Sequence, residues 1–278
     1  MTATGGDHRI ESGAGDDTIT ANGGDQVICA GDGNNTITAT DGDHRIGTGA
    51  GDDTITANGG DHIICAGDGN NTITATDGDH RIESGAGNDT ITANGGDQII
   101  SAGDGNNTIT ATDGDHWIES GAGNDTITAH GGDQIISAGD GNNTITATGG
   151  DHWIESGAGN DTITTTGGND IIFSGAGDDV VNAGDGNDTI YGGGGNDQLY
   201  GGAGDDLFVF GDISGDTYVD GGAGGWDVID MSGAEGNWTV QIEGGASFEA
   251  GDRDISGSIN NTDTDDVINF DNIDSIEW

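Results

Sequence analysis

The chain has 278 residues, of which 59 are glycine and none is proline, and its formal net charge is −47 at pH 7. With 51 acidic residues against 4 basic ones, its surface repels phosphate groups, which argues against nucleic acid and anionic membranes as partners. Only 5% of the residues are aromatic, so regular repetition or bound cations must hold any fold together in place of a large apolar core. Carboxylates at this density suit hard divalent cations, above all Ca2+.

From residue 13 to about residue 165 the sequence repeats every nine residues, and its first blocks read GAGDDTITA, NGGDQVICA, GDGNNTITA and TDGDHRIGT. The glycines permit the positive φ values of a tight turn. The triplet that follows places an apolar residue between two others, as a strand with one inward face requires. Two nonapeptides therefore form one coil of about 18 residues, with two short strands on opposite faces and about two inward isoleucines.

Between Gly167 and Phe210 the blocks become GGNDIIFSG, AGDDVVNAG, DGNDTIYGG, GGNDQLYGG and AGDDLFVF. These blocks resemble the GGxGxDxUx nonapeptide of the RTX family, and the resemblance extends over essentially the whole chain. It implies a parallel β-roll that binds Ca2+ between successive turns. We therefore predict an all-β protein, a parallel β-solenoid (β-roll) with two nonapeptides per coil and a β-rich C-terminal cap.

After Gly211 the repeat stops, and the runs GGWDVIDMSG, NWTVQIEGG and DDVINFDNIDSIEW alternate as β-strands do. This segment resembles the C-terminal cap of RTX proteins, and a cap is also needed to cover the edge of the last coil. The predicted division is threonine-bearing repeats at 1–165, RTX-like repeats at 166–211 in the same continuous solenoid, and a cap at 212–278. Thr2 already occupies the place of Thr20, so the chain opens in mid-repeat, as a fragment of a longer protein would.

The RTX resemblance assigns Ca2+ to the aspartate in the sixth slot of GGxGxDxUx, immediately before each strand. The residues that match are Asp17, Asp53, Asp89, Asp125, Asp161, Asp170, Asp179, Asp188, Asp197 and Asp206. In the earlier coils this slot alternates with Asn35, Asn71, Asn107 and Asn143, so we expect weaker binding there. The alternative for this row is a hydrogen-bonded Asx ladder without ions. On the other edge the slot holds histidine or glutamine up to His152, which leaves Ca2+ doubtful on that edge.

The spacing His-x-x-Glu recurs, for example from His80 to Glu83, and invites a transition-metal site. Successive copies lie two coils apart, whereas zinc ligands must converge within about 2 Å of the ion. The histidines are therefore predicted to pack in the turns. The same repetition argues against an enzyme, because catalysis needs one set of different groups that converge.

Nine Thr-Ile-Thr triplets recur once per coil, and with isoleucine inward both threonines face solvent. Strand geometry places them about 6.7 Å apart along the strand and about 4.8 Å apart from coil to coil, in a flat lattice without charge. β-Branched threonine is stiff at χ1, which holds the spacing. The residues are Thr18, Thr20, Thr36, Thr38, Thr54, Thr56, Thr72, Thr74, Thr90, Thr92, Thr108, Thr110, Thr126, Thr128, Thr144, Thr146, Thr162 and Thr164.

Two interpretations of these triplets compete. Threonine is a good strand residue, and identical triplets could reflect recent duplication alone. The opposite face arose from the same duplications, yet its triplets read RIE, VIC, RIG, IIC, RIE, IIS, WIE, IIS and WIE. That face has varied while the threonine face has not, which indicates that the threonine face carries the function.

An uncharged Thr-x-Thr array on a β-solenoid resembles the ice-binding face of antifreeze proteins, notably the insect β-helical ones. The resemblance implies that methyl groups order water, hydroxyl groups anchor it, and the ordered layer merges with ice. In bacterial ice-adhesins of the RTX lineage the turn threonines bind ice. Here the turns carry Ala14, Ala50 and their equivalents or aspartate, so the strand face is the better candidate.

We therefore predict an ice-binding protein with Ca2+ as cofactor, ice or ordered water as partner, and no catalysis. The alternative is a structural RTX stalk or secretion module of a larger exoprotein or adhesin. A third hypothesis is a carbohydrate-binding surface built on Trp117 and Trp153 of the opposite face. The RTX resemblance implies an extracellular protein, secreted by a type I system through a C-terminal signal. We expect a monomer, and free thiols at Cys29 and Cys65, which lie two coils apart and beyond disulfide reach.

Overall fold

The computed structural model describes residues 1–211, 214–243 and 255–278. Over these residues the chain is built from β-strands and tight turns, as predicted. It divides into two compact units, residues 1–139 (unit 1) and residues 140–278 (unit 2). Across the described part of the chain, no helix is long and apolar enough to span a membrane.

Unit 1 contains two parallel sheets whose strands alternate along the chain. Its strands are β1 (Thr2–Thr4), β2 (Arg9–Glu11), β3 (Thr18–Asn22), β4 (Val27–Cys29), β5 (Thr36–Thr40), β6 (Arg45–Gly47), β7 (Thr54–Asn58), β8 (Ile63–Cys65), β9 (Thr72–Thr76), β10 (Arg81–Glu83), β11 (Thr90–Asn94), β12 (Ile99–Ser101), β13 (Thr108–Thr112), β14 (His116–Glu119), β15 (Thr126–Gly131) and β16 (Gln134–Ser137). Odd-numbered strands form one sheet and even-numbered strands the other. Each strand pairs with the strand two places along, as Thr90 does with Thr108, which confirms the predicted coil of two nonapeptides.

Unit 2 begins with the same alternation. Its strands are β17 (Thr144–Gly149), β18 (Trp153–Glu155), β19 (Thr162–Thr166), β20 (Ile171–Phe173), β21 (Val180–Asp185), β22 (Thr189–Tyr191), β23 (Gln198–Ala203), β24 (Leu207–Val209), β25 (Thr217–Gly222), β26 (Val228–Asp230), β27 (Trp238–Ile242), β28 (Ile255–Asn261), β29 (Val267–Ile273) and β30 (Ser275–Glu277). The predicted division at residues 165 and 211 is based on sequence motifs, and the contacts do not test it.

Parallel coiling in unit 2 continues after the nonapeptide sequence ends. Strand β25 pairs with β23, β29 pairs with β25, and β30 pairs with β26, all in parallel. Strands β28 and β27 then add to β29 in antiparallel order, so the last coil is followed by the β-rich segment that the sequence predicts. Gly244 and Gly245 of the predicted NWTVQIEGG run lie outside the described residues.

The core is a thin ladder of isoleucine and small residues. In the coil that starts at β3, Ile19, Ala21, Ile28 and Ala30 are all buried. The threonine-bearing strands are mostly five residues long rather than three, so each buries a second residue as well as the predicted isoleucine, namely alanine in every such strand except β19, where it is Thr165. Burial of isoleucine contributes about 2 kcal/mol per side chain, and stacking repeats this contribution at every coil.

Glycine is required where one turn stacks on the next. Gly87 has φ of +141°, and a β-carbon at this position would lie 2.0 Å from the carbonyl oxygen of Gly69 in the preceding turn. Any side chain here would therefore separate adjacent coils as well as strain the backbone.

Candidate functional site: the threonine face and the turn carboxylates

The threonine face is the outward side of the strands that carry Thr-Ile-Thr. In unit 1 these strands are in register, so Thr90 lies beside Thr72 on one side and Thr108 on the other. The first threonine of each triplet (the first rank) is exposed, and the second (the second rank) is half-buried. Unit 2 carries the triplet on β17 and β19, where Thr144 pairs with Thr162. The predicted alternation of outward threonine and inward isoleucine is thus present in both units.

The hydroxyl groups of the first and second ranks make no hydrogen bond to any other described residue. This leaves them available to water. A third rank lies two residues beyond the second threonine of each strand, and here asparagine alternates with threonine from Asn22 to Thr112. Here Thr76 donates to the side-chain oxygen of Asn58 at 3.0 Å, and Thr112 donates to Asn94 at 2.9 Å.

The sequence interpretation missed the third rank because it treated the strand as a triplet. The signal was the alternation of TITAN and TITAT in successive coils from Thr18 to Thr112. Because its hydroxyl groups already have protein partners, the third rank differs chemically from the two ranks beside it.

The opposite face is chemically mixed. In unit 1 it exposes Ile99 (46%) and Trp117 (51%) beside a surface ion pair between Arg81 and Glu83. In unit 2 the rings of Phe173 and Tyr191 stack at 4.3 Å between centroids. Cys29 and Cys65 are free thiols, as predicted.

All ten predicted Ca2+-binding aspartates lie in the turns, immediately before the strands. In nine of them the carboxylate oxygen Oδ2 is buried without a hydrogen-bond partner, namely in Asp17, Asp53, Asp89, Asp161, Asp170, Asp179, Asp188, Asp197 and Asp206. After the first coil, the other oxygen, Oδ1, accepts a backbone N–H from the preceding coil, as Asp89 does from Asn71 at 2.7 Å. A buried carboxylate oxygen without a partner is costly unless a cation or proton compensates it.

In unit 2 these carboxylates follow one another in consecutive coils. Asp161 donates its backbone N–H to Asp179, and Asp179 in turn donates to Asp197, at 2.8 and 3.0 Å. On the other edge, the same bonds link Asp170, Asp188 and Asp206. We name residues 161–211 and 214–227 the Asp-turn segment.

Burial raises the pKa of Asp179 to about 6 and the pKa of Asp188, Asp197 and Asp206 to about 7, and neighbouring carboxylates add to the effect. Space at the turn is limited, because a β-carbon on Gly201 would lie 2.3 Å from Oδ2 of Asp206. Paired carboxylate oxygens in a glycine-lined turn fit a hard divalent cation such as Ca2+.

A second class of turn carries asparagine in the same slot. The amide nitrogen of Asn107 donates to the carbonyl oxygens of Gly103 and Gly105 in its own turn, at 3.0 and 3.1 Å, and to that of Ser120 in the next turn, at 3.1 Å. The amide thus fills the carbonyl-lined pocket of the turn. Asn35, Asn71 and Asn143 make equivalent bonds.

The His/Gln edge has no sixth-slot carboxylate before Asp170. His44, His62 and His80 are buried and stack with ring centroids 5.1 and 4.9 Å apart. Nδ1 of His62 accepts the backbone N–H of His44 at 3.3 Å, so in the neutral ring Nε2 carries the proton. Burial lowers the pKa of His62 to about 4. The described residues contain no cluster of three or more His, Cys, Asp and Glu side chains suited to a metal ion.

The sequence interpretation missed Asp227. This buried residue accepts the backbone N–H of Asp206 at 2.9 Å and therefore occupies the next sixth slot on that edge. It follows Asp206 by 21 residues instead of 18, which hid it from the nonapeptide count. The available signal was the sequence AGGWDVID, in which a glycine turn again precedes aspartate and an alternating strand.

Comparison with known families agrees with this turn chemistry. The family model of the RTX calcium-binding nonapeptide repeat (four copies) matches in overlapping stretches, namely residues 2–37, 29–61, 38–73, 66–100, 74–109, 92–127, 110–145, 128–163, 146–181 and 173–208. No characterised protein matches the chain as a relative. The matched stretches span most of the chain and the Asp turns, so the chain belongs to the family of RTX calcium-binding nonapeptide repeat proteins, with Ca2+ as its cation.

Proposed function

We propose that this protein binds ice through the threonine face and acts as an antifreeze-type protein without catalysis. The observation that carries the proposal is the pair of in-register threonine ranks, outward and without charge, whose hydroxyl groups have no partner among the described residues. Its predicted partners are ice and ordered water, with no nucleic acid or membrane.

The physical basis is a regular, stiff surface that orders water. Neighbouring methyl and hydroxyl groups repeat about every 4.8 Å across coils and about every 6.7 Å along a strand. Ile91 and Ala93, buried behind the face, fix the strand from below, and threonine has few χ1 rotamers to lose. Hydroxyl groups without protein partners can hydrogen-bond the first water layer, while the methyl groups limit its freedom.

The contrast within one coil supports this assignment. On the opposite sheet, the outward residues paired with one another include Arg81, Ile99 and Trp117, which share neither size nor charge. A surface that only needed to be soluble could vary in the same way on both sheets. The threonine sheet keeps one residue type at every first-rank and second-rank position from Thr18 to Thr164.

The test is thermal hysteresis and ice shaping by the full chain in Ca2+, beside Thr90→Tyr and Thr92→Tyr. The matched control is Ile99→Tyr, which places the same side chain at an exposed position of the opposite sheet. We expect the two threonine variants to lose most of the activity and the control to retain it, with circular dichroism unchanged in all three. An inactive parent protein, or equal loss in the control, would refute the proposal.

A second candidate function is a structural stalk or secretion module of a larger exoprotein or adhesin. The RTX match along the chain and the strand-rich C-terminal segment favour it. RTX repeat proteins are typically secreted, and we propose an extracellular location and a monomeric state for this chain. The stalk hypothesis predicts no effect of Thr90→Tyr on any activity, so the same experiment separates the two.

A further inference from the structure

Turns with asparagine and turns with aspartate in the sixth slot place different chemical groups at the same position. Each turn directs backbone carbonyl oxygens toward the side chain in the sixth slot. In the turn of Asn107, an amide nitrogen meets three of these oxygens at 3.0 to 3.1 Å. In the turn of Asp206, the same slot presents a buried carboxylate oxygen without a hydrogen-bond partner.

The orientation of the Asn107 amide is fixed by the neighbouring coil. Its side-chain oxygen accepts the backbone N–H of Asp89 at 3.0 Å. If the amide rotated to offer that oxygen to a cation, its NH2 group would face the N–H of Asp89, donor against donor. With the amide in place, its protons occupy the position where a cation would need oxygen ligands, so this turn does not fit Ca2+.

The glutamine turns of the His/Gln edge are closed by the same kind of group. The amide nitrogen of Gln98 donates to the carbonyl oxygens of Gly78 and Gly96, at 3.1 and 3.2 Å, and to that of Gly95. Among the histidines, Nε2 of the exposed His8 lies 2.8 Å from the carbonyl oxygen of Gly5, whereas Nε2 of the buried His62 and His80 has no hydrogen-bond partner in the described part of the chain. No carboxylate occupies the sixth slot from His8 to His152, and the aspartates one slot earlier are exposed, so no buried carboxylate faces a divalent ion on this stretch of the edge.

We propose that the side-chain N–H groups of asparagine and glutamine act as built-in replacements for Ca2+ in the threonine-bearing coils. Tightly bound Ca2+ is then confined to turns whose sixth slot is aspartate. The inference does not depend on ice binding. In the coils that carry the threonine face, only the aspartates on one edge could then bind Ca2+, and most of these have asparagine on both sides.

The proposal sets a number of ions. Six steps join aspartates in consecutive turns of the same edge: Asp161 to Asp179, Asp179 to Asp197, Asp170 to Asp188, Asp188 to Asp206, Asp206 to Asp227, and Asp227 to Asp274. Four further aspartates have only asparagine beside them in the same row and supply a single carboxylate, so they should not hold an ion tightly: Asp17, Asp53, Asp89 and Asp125. The full chain should therefore hold at most about six tightly bound ions, whereas one ion at every step of both edges would exceed twenty.

The test is a count of tightly bound Ca2+ by native mass spectrometry, after passage of the Ca2+-loaded full chain through a chelating resin. Asn107→Asp creates consecutive aspartates at 89, 107 and 125, and we expect it to hold at least one more ion than the parent protein. Asn106→Asp is the matched control. It adds the same charge one residue away, on an exposed side chain whose oxygen already accepts the backbone N–H of Asn124, and should add none.

A parent count well above six, or no gain in Asn107→Asp over Asn106→Asp, overturns the proposal. Because Asn107→Asp could disturb folding, Asn71→Asp repeats the test two coils away at an equivalent set of bonds. The parent count requires no variant and decides the question independently.

Discussion

Without Ca2+, the Asp-turn segment should lose stability as the pH rises. Without the cation, the buried carboxyl groups of Asp188, Asp197 and Asp206 have pKa values raised from 3.8 to about 7. A raised pKa means that the folded state holds protons that the unfolded state releases. Stability is therefore fully present below pH 4 and is lost as the pH rises toward 7.

The magnitude follows from proton linkage. One such carboxyl changes the free energy of unfolding by about 1.4 kcal/mol per pH unit between the two pKa values. The three groups repel one another and do not titrate independently, which reduces their sum. Between pH 8 and pH 5.5, we expect Ca2+-free protein to gain roughly 3 kcal/mol in this segment, or roughly 10 °C in its unfolding temperature.

The assay is thermal unfolding in EDTA at pH 5.5 and pH 8, with hydrogen exchange to locate the change in strands β20 to β24. Asp188→Asn should flatten the pH response and raise the Ca2+-free unfolding temperature at pH 8, because an amide can donate to turn carbonyls as Asn107 does. Asp205→Asn is the control, because Asp205 is exposed and lies one residue before Asp206, the next sixth-slot residue on that edge. A Ca2+-free segment that is no more stable at pH 5.5 than at pH 8 would refute this reasoning.

Two further predictions concern unit 1. Ile91→Ala removes a fully buried side chain from the ladder and should lower the free energy of unfolding by about 2 to 5 kcal/mol in a denaturant titration, whereas Thr90→Ala at the exposed neighbour should change it by less than about 1 kcal/mol. The pKa of His62 falls from 6.5 to about 4 on burial, so the folded state excludes a proton, and stability present above pH 6.5 is lost as the pH falls toward 4. His62→Gln, which places the native residue of position 98 in this slot, should reduce the loss between pH 7 and pH 5 in Ca2+. An unchanged loss in this variant would count against a role for the buried imidazole.

Local repetition was sufficient to predict the coil. A period of two nonapeptides, glycine at the turns and isoleucine between two threonines determine which side chains face inward, because strand geometry alternates at every residue. Thr90, Thr92 and Ile91 could therefore be placed correctly from the sequence. The same reasoning located every sixth-slot aspartate that follows the nonapeptide spacing.

Features that depend on the adjacent coil required the tertiary structure. The direction of the Asn107 amide is set by the backbone N–H of Asp89 in the preceding coil, and the lack of a partner for Oδ2 of Asp206 arises from burial by stacked turns. Asp227 occupies a sixth slot through stacking, although its spacing departs from the repeat. The sequence alone determined the period and the outward threonines, whereas packing between coils decided which turns retain an uncompensated carboxylate and which are closed by an N–H group.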